Sequence, residues 1–327
     1  MPQVAANQSR PTFDIRGFVP IELELLAPTA ALDFDLYLQV GSRPTVVLYR
    51  KQRDSFQEGD HDRLIEHGID TLFVRSSAHE VFRRYLLENI VQDERVAPLQ
   101  RYRILKTATH SIFDAAFRSV NLEGFVQVAD ELGEQMVAIV CNKDMVISDL
   151  ISMMEHNYYA YTHVANVCTC CLALASALGI RRKSDLLAMS SGALLHDVGN
   201  RRIPPGLLNK PTRLTESERE IIRQHPLIGF EELSLRGGVT WGQLMMIYQH
   251  HERMDGSGYP VQLIGEETHE WARICMIADV FDALISDRPY RRGRSLNDVL
   301  EFLEQRAGRE FDKEMVQCWI ATIRCGS

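Results

Sequence analysis

The sequence predicts a mainly α protein: an all-helical C-terminal bundle, a helical linker before it, and a small α/β domain at the N-terminus. Three observations predict this class. Period-two alternation is confined to residues 13–92. From about Pro98 onward apolar residues recur at helical spacing. Several of those later segments open on capping signals. At 327 residues the chain is long enough for two or three domains, read here as 1–95, 96–150 and 151–327. Hydrophobic residues make up 45% and charged residues 24%, enough to bury a sizeable core.

Ile21–Leu25, Phe34–Val40, Thr45–Arg50 and Thr71–Val74 read as strands, separated by Gly41, Pro44, Gly59 and Gly68. Ser77-Ala-His-Glu80 reads as a capping box opening a helix through about Ile90. The stretch Gln57–Arg63, with its His61-Asp62 pair, reads as solvated surface. This module holds no catalytic constellation, so regulation or assembly is its expected role. In the linker, Ile104 and Ile112–Val120, then Phe125–Val140, place apolar residues on helix faces suited to a core or a homodimer seam.

Residues 157–180 carry no Asp, Glu, Lys or Arg, a length that would span a bilayer. The stretch also holds His163, Asn166 and tyrosines, so a buried core helix is expected rather than a membrane span. Ser184 is the expected cap of the helix that ends at His196-Asp197, and Thr215-Glu-Ser-Glu218 opens one running to His225. Helices are expected over Trp241–Met254, Arg273–Ile285, Ser295–Arg306 and Asp312–Ile323. Gly256, Gly258 and Pro260 force Arg253–Pro260 into a loop.

The formal net charge of −8 argues against a partner that is a nucleic-acid polymer or an anionic membrane, while leaving room for a local basic patch. The seven cysteines lack zinc-type spacing; reduced thiols are expected, and no signal segment opens the sequence, so the expected location is cytoplasmic.

The chemistry gathers at helix ends. Ser191–Leu195 runs apolar into His196-Asp197, and Leu244–Tyr248 runs apolar into His250-His251. His225 precedes Pro226 at a helix end, His163 lies in the uncharged helix, and Asp279 interrupts an apolar one. Each alone has a bland explanation as a cap or a hydrogen-bonded core group. Together they are five imidazoles and two carboxylates in apolar settings, where unpartnered charges are costly. Two cations sharing a carboxylate would use such a set. Nitrogen and oxygen donors without thiolate fit iron, manganese, nickel, zinc or cobalt, and disfavour calcium. A two-metal centre of this kind activates water and neutralises phosphoryl oxygens, which points to phosphoester hydrolysis.

His-Asp at a helix end, His225, His-His-Glu-Arg-x-Asp-Gly-x-Gly-Tyr-Pro, Ala-Asp-Val-x-Asp-Ala-Leu and Arg-Pro-Tyr-Arg together resemble the HD-GYP domain, a branch of the HD superfamily of metal-dependent phosphohydrolases. The resemblance covers roughly residues 150–320 and implies hydrolysis of cyclic di-GMP to pGpG and often GMP. It implies two divalent ions, iron or manganese first. Asp197 matches the bridging carboxylate, and with His196 it forms the catalytic pair. His163, His196 and Asp279 match the shell of one ion, and His225, His250 and His251 that of the other. Arg288 and Arg291 match phosphate-holding residues; Gly258, Tyr259 and Pro260, with Arg253 and Asp255, match the loop beside the substrate. A GGDEF-type protein partner at the Gly-Tyr-Pro loop is a further implication. The sequence departs from the family pattern twice. Asn200 stands where Lys follows His-Asp-x-Gly, which opens the alternative of a non-catalytic receptor for cyclic di-GMP or a related nucleotide; a hydrolase of another phosphoester is the other alternative. Tyr159 stands where a Glu would hold a third metal, so two are expected.

Overall fold

The structure is a computed structural model that describes residues 12–26, 32–40, 45–54, 56–86, 97–106, 109, 122–142, 145–152, 154, 160–208, 210, 212–287 and 291–325. The chain forms two compact units, residues 1–97 and 98–327.

In the first unit, strands β1 (Thr12–Asp14), β2 (Phe18–Glu22), β3 (Leu36–Gln39), β4 (Thr45–Arg50) and β5 (Thr71–Arg75) form an antiparallel sheet of order β1-β4-β3-β5-β2. Tyr37, Val46 and Phe73 are its buried centre, with Phe13, Phe18 and Leu48 packed on them. The strand expected over Ile21–Leu25 begins earlier and ends at Glu22; Leu23–Leu25 is a 3-10 turn in which Leu23, Leu25 and the following Leu26 are all buried. Alternation in the sequence mimicked a strand that the chain turns away from. Helix α1 (Glu58–Glu66) was not expected. Gln57 and Asp60 form its capping box, and the Asp60 carboxylate is buried between the guanidiniums of Arg50 and Arg63. Helix α2 (His79–Leu86) follows a 3-10 turn at Ser76–Ala78, so it starts later than the capping signal placed it.

The second unit is helical: α3 (98–106), α4 (Leu122–Val140), α5 (Ile147–Ser152), α6 (Ala160–Ala177), α7 (Lys183–Leu195), α8 (Pro205–Leu208), α9 (Glu216–Ile222), α10 (His225–Ser234), α11 (Trp241–Gln249), α12 (Glu270–Ile285), α13 (Leu296–Glu304) and α14 (Lys313–Cys325). Helix α4 packs chiefly on α7 and also on α6, and buries Phe125, Ala129, Leu132 and Met136. The apolar face of Phe125–Val140 is thus largely buried within this unit. Ile112–Val120 and Tyr159 lie outside the described residues.

Four helices form a closed ring by pairwise packing: α6 on α7, α7 on α11, α11 on α12, and α12 on α6. The chain leaves α6, turns at Leu178–Ile180 and returns along α7, so the start of α6 and the end of α7 share one end of the ring. Among the described residues no helix is long and apolar enough to cross a membrane, and α6 is a core helix from His163 to Ala175. Its Cys168, Cys170 and Cys171 are free and buried, and burial pushes their thiols up, which makes them inert packing groups.

Several boundaries differ from expectation for local reasons. Helix α7 begins at Lys183 after Arg182 rather than after a Ser184 cap. Thr215 does cap α9 through the Glu218 amide, but α9 stops at Ile222, and a new helix starts at His225 with Pro226 in its first turn. Helix α11 stops at Gln249, which leaves His250 and His251 in the turn beyond it.

Candidate metal centre

The ring brings the seven side chains singled out in the sequence to one end. His163 comes from the first turns of α6, His196 and Asp197 from the end of α7, His225 from the start of α10, His250 and His251 from the end of α11, and Asp279 from the middle of α12. His163, His196, His225, His250 and Asp279 are buried. Asp197 keeps 26% of its side chain exposed, so the cluster opens to solvent at that carboxylate.

Two groups of donor atoms lie close enough to hold a cation each: His225, His250 and His251, and His163, His196 and Asp197. The first matches the shell expected from sequence. In the second, Asp197 takes the place expected for Asp279. Asp197 also faces the first group: its Oδ1 lies 3.1 Å from His225 Nε2 and 3.9 Å from His250 Nε2, while its Oδ2 lies 3.6 Å from His196 Nε2. Asp279 reaches both sides too, with Oδ1 3.1 Å from His163 Nε2 and Oδ2 3.8 Å from His251 Nδ1.

The backbone fixes which ring nitrogen faces inward. A carbonyl only accepts, so a histidine Nδ1 within hydrogen-bond distance of one carries the proton. His196 Nδ1 donates to Ala193 O at 2.7 Å, His225 Nδ1 to Ile222 O at 2.8 Å, and His250 Nδ1 to Ile247 O at 3.0 Å. Each then turns its Nε2 toward the centre. His196 Nε2 is buried with no hydrogen-bond partner. His225 Nε2 and His250 Nε2 stand 3.2 Å apart, two lone pairs facing each other unless a proton or a cation lies between them. An orphaned inward nitrogen and an opposed pair are what a metal ion satisfies, so these residues fit one.

The charges follow the same geometry. Burial would raise the Asp197 carboxyl, but His196 and the hydrogen bond from His225 hold it well below the usual carboxylate range. Asp279 is likewise buried and still held low, chiefly by His163. Burial opposes charge on His225, yet Asp197 raises its pKa; the carboxylates of Asp279 and Asp282 raise His163 well above its ordinary value against the same burial. Burial and crowding by the other imidazoles depress His250 well below the ordinary range, and burial brings His251 down to about 3.

Residues given no role in the sequence reading hold the cluster in place. Asp282 is fully buried and accepts from His163 Nδ1 at 2.6 Å, Asn166 Nδ2 at 2.6 Å and Ser286 Oγ at 2.9 Å. The signal for it was available: two carboxylates three apart in an apolar helix share a face. Glu252, also fully buried, accepts the amides of Val261, Gln262 and Leu263 at 2.7, 3.2 and 3.1 Å. That clamp sets the loop after Tyr259, whose ring stacks on His251 with centroids 4.7 Å apart. Gly258 is required beneath it, because a Cβ there would stand 2.4 Å from Arg253 N.

The substrate residues expected from sequence fare unevenly. Tyr259 and Gly258 border the centre through His251. Arg253 instead packs on Phe311 at 5.3 Å and faces Glu310, and Asp255 is an exposed turn former that accepts from Ser257 N and Oγ. In the structure the polar atoms of these two meet groups within the loop and its neighbours. Arg291 donates to the carbonyls of Ala283 and Leu284 at the end of α12. Arg288 lies outside the described residues. Asn200 sits in the middle of the 3-10 turn Val198–Arg202 beyond Asp197, with its Oδ1 buried and without a partner.

A family model described as the HD domain matches residues 145–315. A cyclic di-GMP phosphodiesterase of Pseudomonas aeruginosa is 32% identical over 60% of this chain and 47% of its own length. A cyclic di-GMP phosphodiesterase response regulator of Xanthomonas campestris is 40% identical over 47% of this chain and 39% of its own length. The chain thus spans under half the length of these curated relatives. A 3'3'-cGAMP-specific phosphodiesterase of Vibrio cholerae is 36% identical over 44% of this chain and 33% of its own length. A solved structure, an HD-G"Y"P protein from Bdellovibrio bacteriovorus, superposes with a TM-score of 0.65 at 21% identity, covering 94% of this chain and 99% of that one; it speaks for the fold alone.

Proposed function

The chain belongs to the HD domain family, and on that premise we propose that it hydrolyses a phosphodiester bond of cyclic di-GMP, giving linear pGpG and, on further cleavage, GMP. The observation that carries the reading is the inward Nε2 set of His196, His225 and His250 around Asp197. His163, His196 and Asp197 would hold one divalent ion and His225, His250 and His251 the other, with Asp197 between them and Asp279 reaching both groups. Iron or manganese is the expected metal. Bound there, such ions supply positive charge beside the phosphoryl oxygens and lower the pKa of water.

The chain's own residues do the rest. Asp282 fixes the His163 ring, backbone carbonyls fix three others, and Glu252 holds the Tyr259 loop over His251, so the centre is organised before substrate arrives. Asp197, ionised, and His251 are the partly exposed members of the cluster, the side on which a phosphodiester would meet it.

Asn200 favours a second reading, a receptor that binds the dinucleotide without turnover, since an amide supplies no cation to a scissile phosphate. Purified protein loaded with iron or manganese and given cyclic di-GMP separates the two. Linear product supports hydrolysis. Saturable binding without product supports the receptor, and Asn200→Lys should then create turnover. Cleavage of 3'3'-cGAMP in preference would move the substrate to that dinucleotide.

A further inference from the structure

At the opposite end of the ring from the His–Asp cluster, the first turns of α7, α11 and α12 border a cleft of about 650 Å3. With a rise of 1.5 Å per residue, Asp185, Trp241 and Glu270 lie roughly 13–17 Å along their helices from the metal-ligand positions. Two indoles line the cleft. Trp271 lies flat on α11, its ring 2.5 Å from where a Cβ on Gly242 would stand, and Trp241 beside it is 65% exposed.

The lining is acidic. Asp185, Glu266 and Glu270 supply three carboxylates, while the lining Arg273 is neutralised by Asp312 at 2.6 Å. Arg182 approaches Asp185 only at 3.7 Å, and its side chain is 78% exposed, a pair worth little in water. Burial depresses the His269 pKa, and its Nδ1 accepts from Trp271 N, so the imidazole adds no charge at neutral pH. The ordinary explanation of such acids is compensation of helix N-termini. Each N-terminus carries only about half a positive charge, so three of them fall short of three carboxylates. A net negative cleft walled by indole faces remains. Thr268 also lines it, fully buried, with its hydroxyl lacking any partner.

Negative charge and indole faces describe a receptor for an organic cation. A guanidinium fits better than an ammonium, because it stacks on an indole and still donates sideways to carboxylates. The neighbouring surface indicates how the cation arrives. Ile264, two residues before Glu266, is 63% exposed and Val261 is 47% exposed, so apolar side chains stand on the same loop as the acidic rim. A charged recess beside exposed Trp and Ile is the composition of a protein-binding patch rather than of a pocket for a free metabolite. We propose that this cleft receives an arginine side chain presented by a partner protein.

The test uses the full chain, with its three tryptophans 15N-labelled at the indole nitrogen, titrated with the tripeptide acetyl-Gly-Arg-Gly-amide. The resonances of Trp241 and Trp271 should shift saturably, while that of Trp319, buried in the α14 core, stays in place. The same peptide with norleucine should give no shift. Trp241→Ala, at an exposed site, should weaken binding about fivefold to tenfold. Asp185→Asn with Glu270→Gln should weaken it similarly without touching an indole. The inference is overturned by no response, by an equal response to norleucine, or by an unchanged dissociation constant in both variants. Tighter binding of spermidine than of the peptide overturns it as well, since the cleft would then serve a free polyamine.

Discussion

The dipeptide His-Asp occurs twice in this chain and does two unrelated things. His61-Asp62 lies in α1, where the two side chains are 31% and 74% exposed and their nearest charged atoms are 3.9 Å apart. His196-Asp197 closes α7, where the imidazole is fully buried and the carboxylate faces three Nε2 atoms. The two residues are the same and the surroundings are not. In α1 the neighbours are water and a helix surface; at the end of α7 they are other histidines, with the outer nitrogens of His225 and His250 already committed to carbonyls and that of His163 to the Asp282 carboxylate. What makes a metal centre is the direction in which the backbone holds each donor, and a dipeptide does not encode that.

The largest effect expected from this contrast is at Asp197. Asp197→Asn keeps the shape and removes the charge shared by His196, His225 and His250. It should lose most bound metal and lower hydrolysis at least about a thousandfold, roughly 4 kcal/mol of barrier, with the circular dichroism of the folded protein unchanged. Metal analysis beside the hydrolysis assay checks it, and full metal occupancy in the variant would break the contrast.

A smaller effect is expected one shell out. Asp282 accepts from three donors, and an amide at that position turns one acceptor into a competing donor. Asp282→Asn should weaken metal binding about ten- to a hundredfold, measured by competition with a chelator. Unchanged affinity would mean that packing alone orients His163.

The pH dependence sharpens the picture further. His163 and His225 are held above the ordinary 6.5 by carboxylates that outweigh burial, whereas burial keeps His250 and His251 below it. A metal must displace the protons of the first pair and finds none on the second. Apparent affinity should therefore rise with pH from 6.5 up through the raised values, by about tenfold per pH unit for each displaced proton, and then level off. Metal titrations at stepped pH read the slope. A slope corresponding to four protons over that range would mean that His250 and His251 too are held above 6.5, against the burial that depresses them.

Much of this centre was legible in the sequence, because buried charge is expensive and the chain placed His196, His250 and Asp279 against apolar runs. Their convergence was legible only through the joint motif. Most helix ends were read to within a turn, but α11 stops at Gln249, well short of Met254, and the division at Arg223–Gln224 that lets His225 open its own helix was not read, since Pro226 suits either a stop or a start. Asp282 and Glu252 stayed hidden for a different reason. The shared helix face of Asp279 and Asp282 was visible, but the partners of Asp282, His163 and Asn166, lie more than a hundred residues away, and Glu252 accepts backbone amides, which leave no trace in the side-chain pattern. In the first unit, α1 was missed because its stabilising contact, Asp60 with Arg50 and Arg63, looks in sequence like ordinary surface charge.

The smallest expected effect lies in that same helix and tests the contrast from its other side. His61→Ala with Asp62→Ala removes the dipeptide but leaves the Gln57–Asp60 capping box and the Arg50 and Arg63 contacts of Asp60 in place. Surface substitutions away from such features stay within about 0.5 kcal/mol each, and alanine is the better helix former at both positions. Denaturant midpoint, bound metal and hydrolysis should all match the parent protein. Asp60→Ala in parallel should move the midpoint clearly, since it strips a buried carboxylate from two guanidiniums and uncaps the helix. If instead the His61 and Asp62 changes lowered metal content, this dipeptide too would have to be a ligand, and exposure would no longer separate the two.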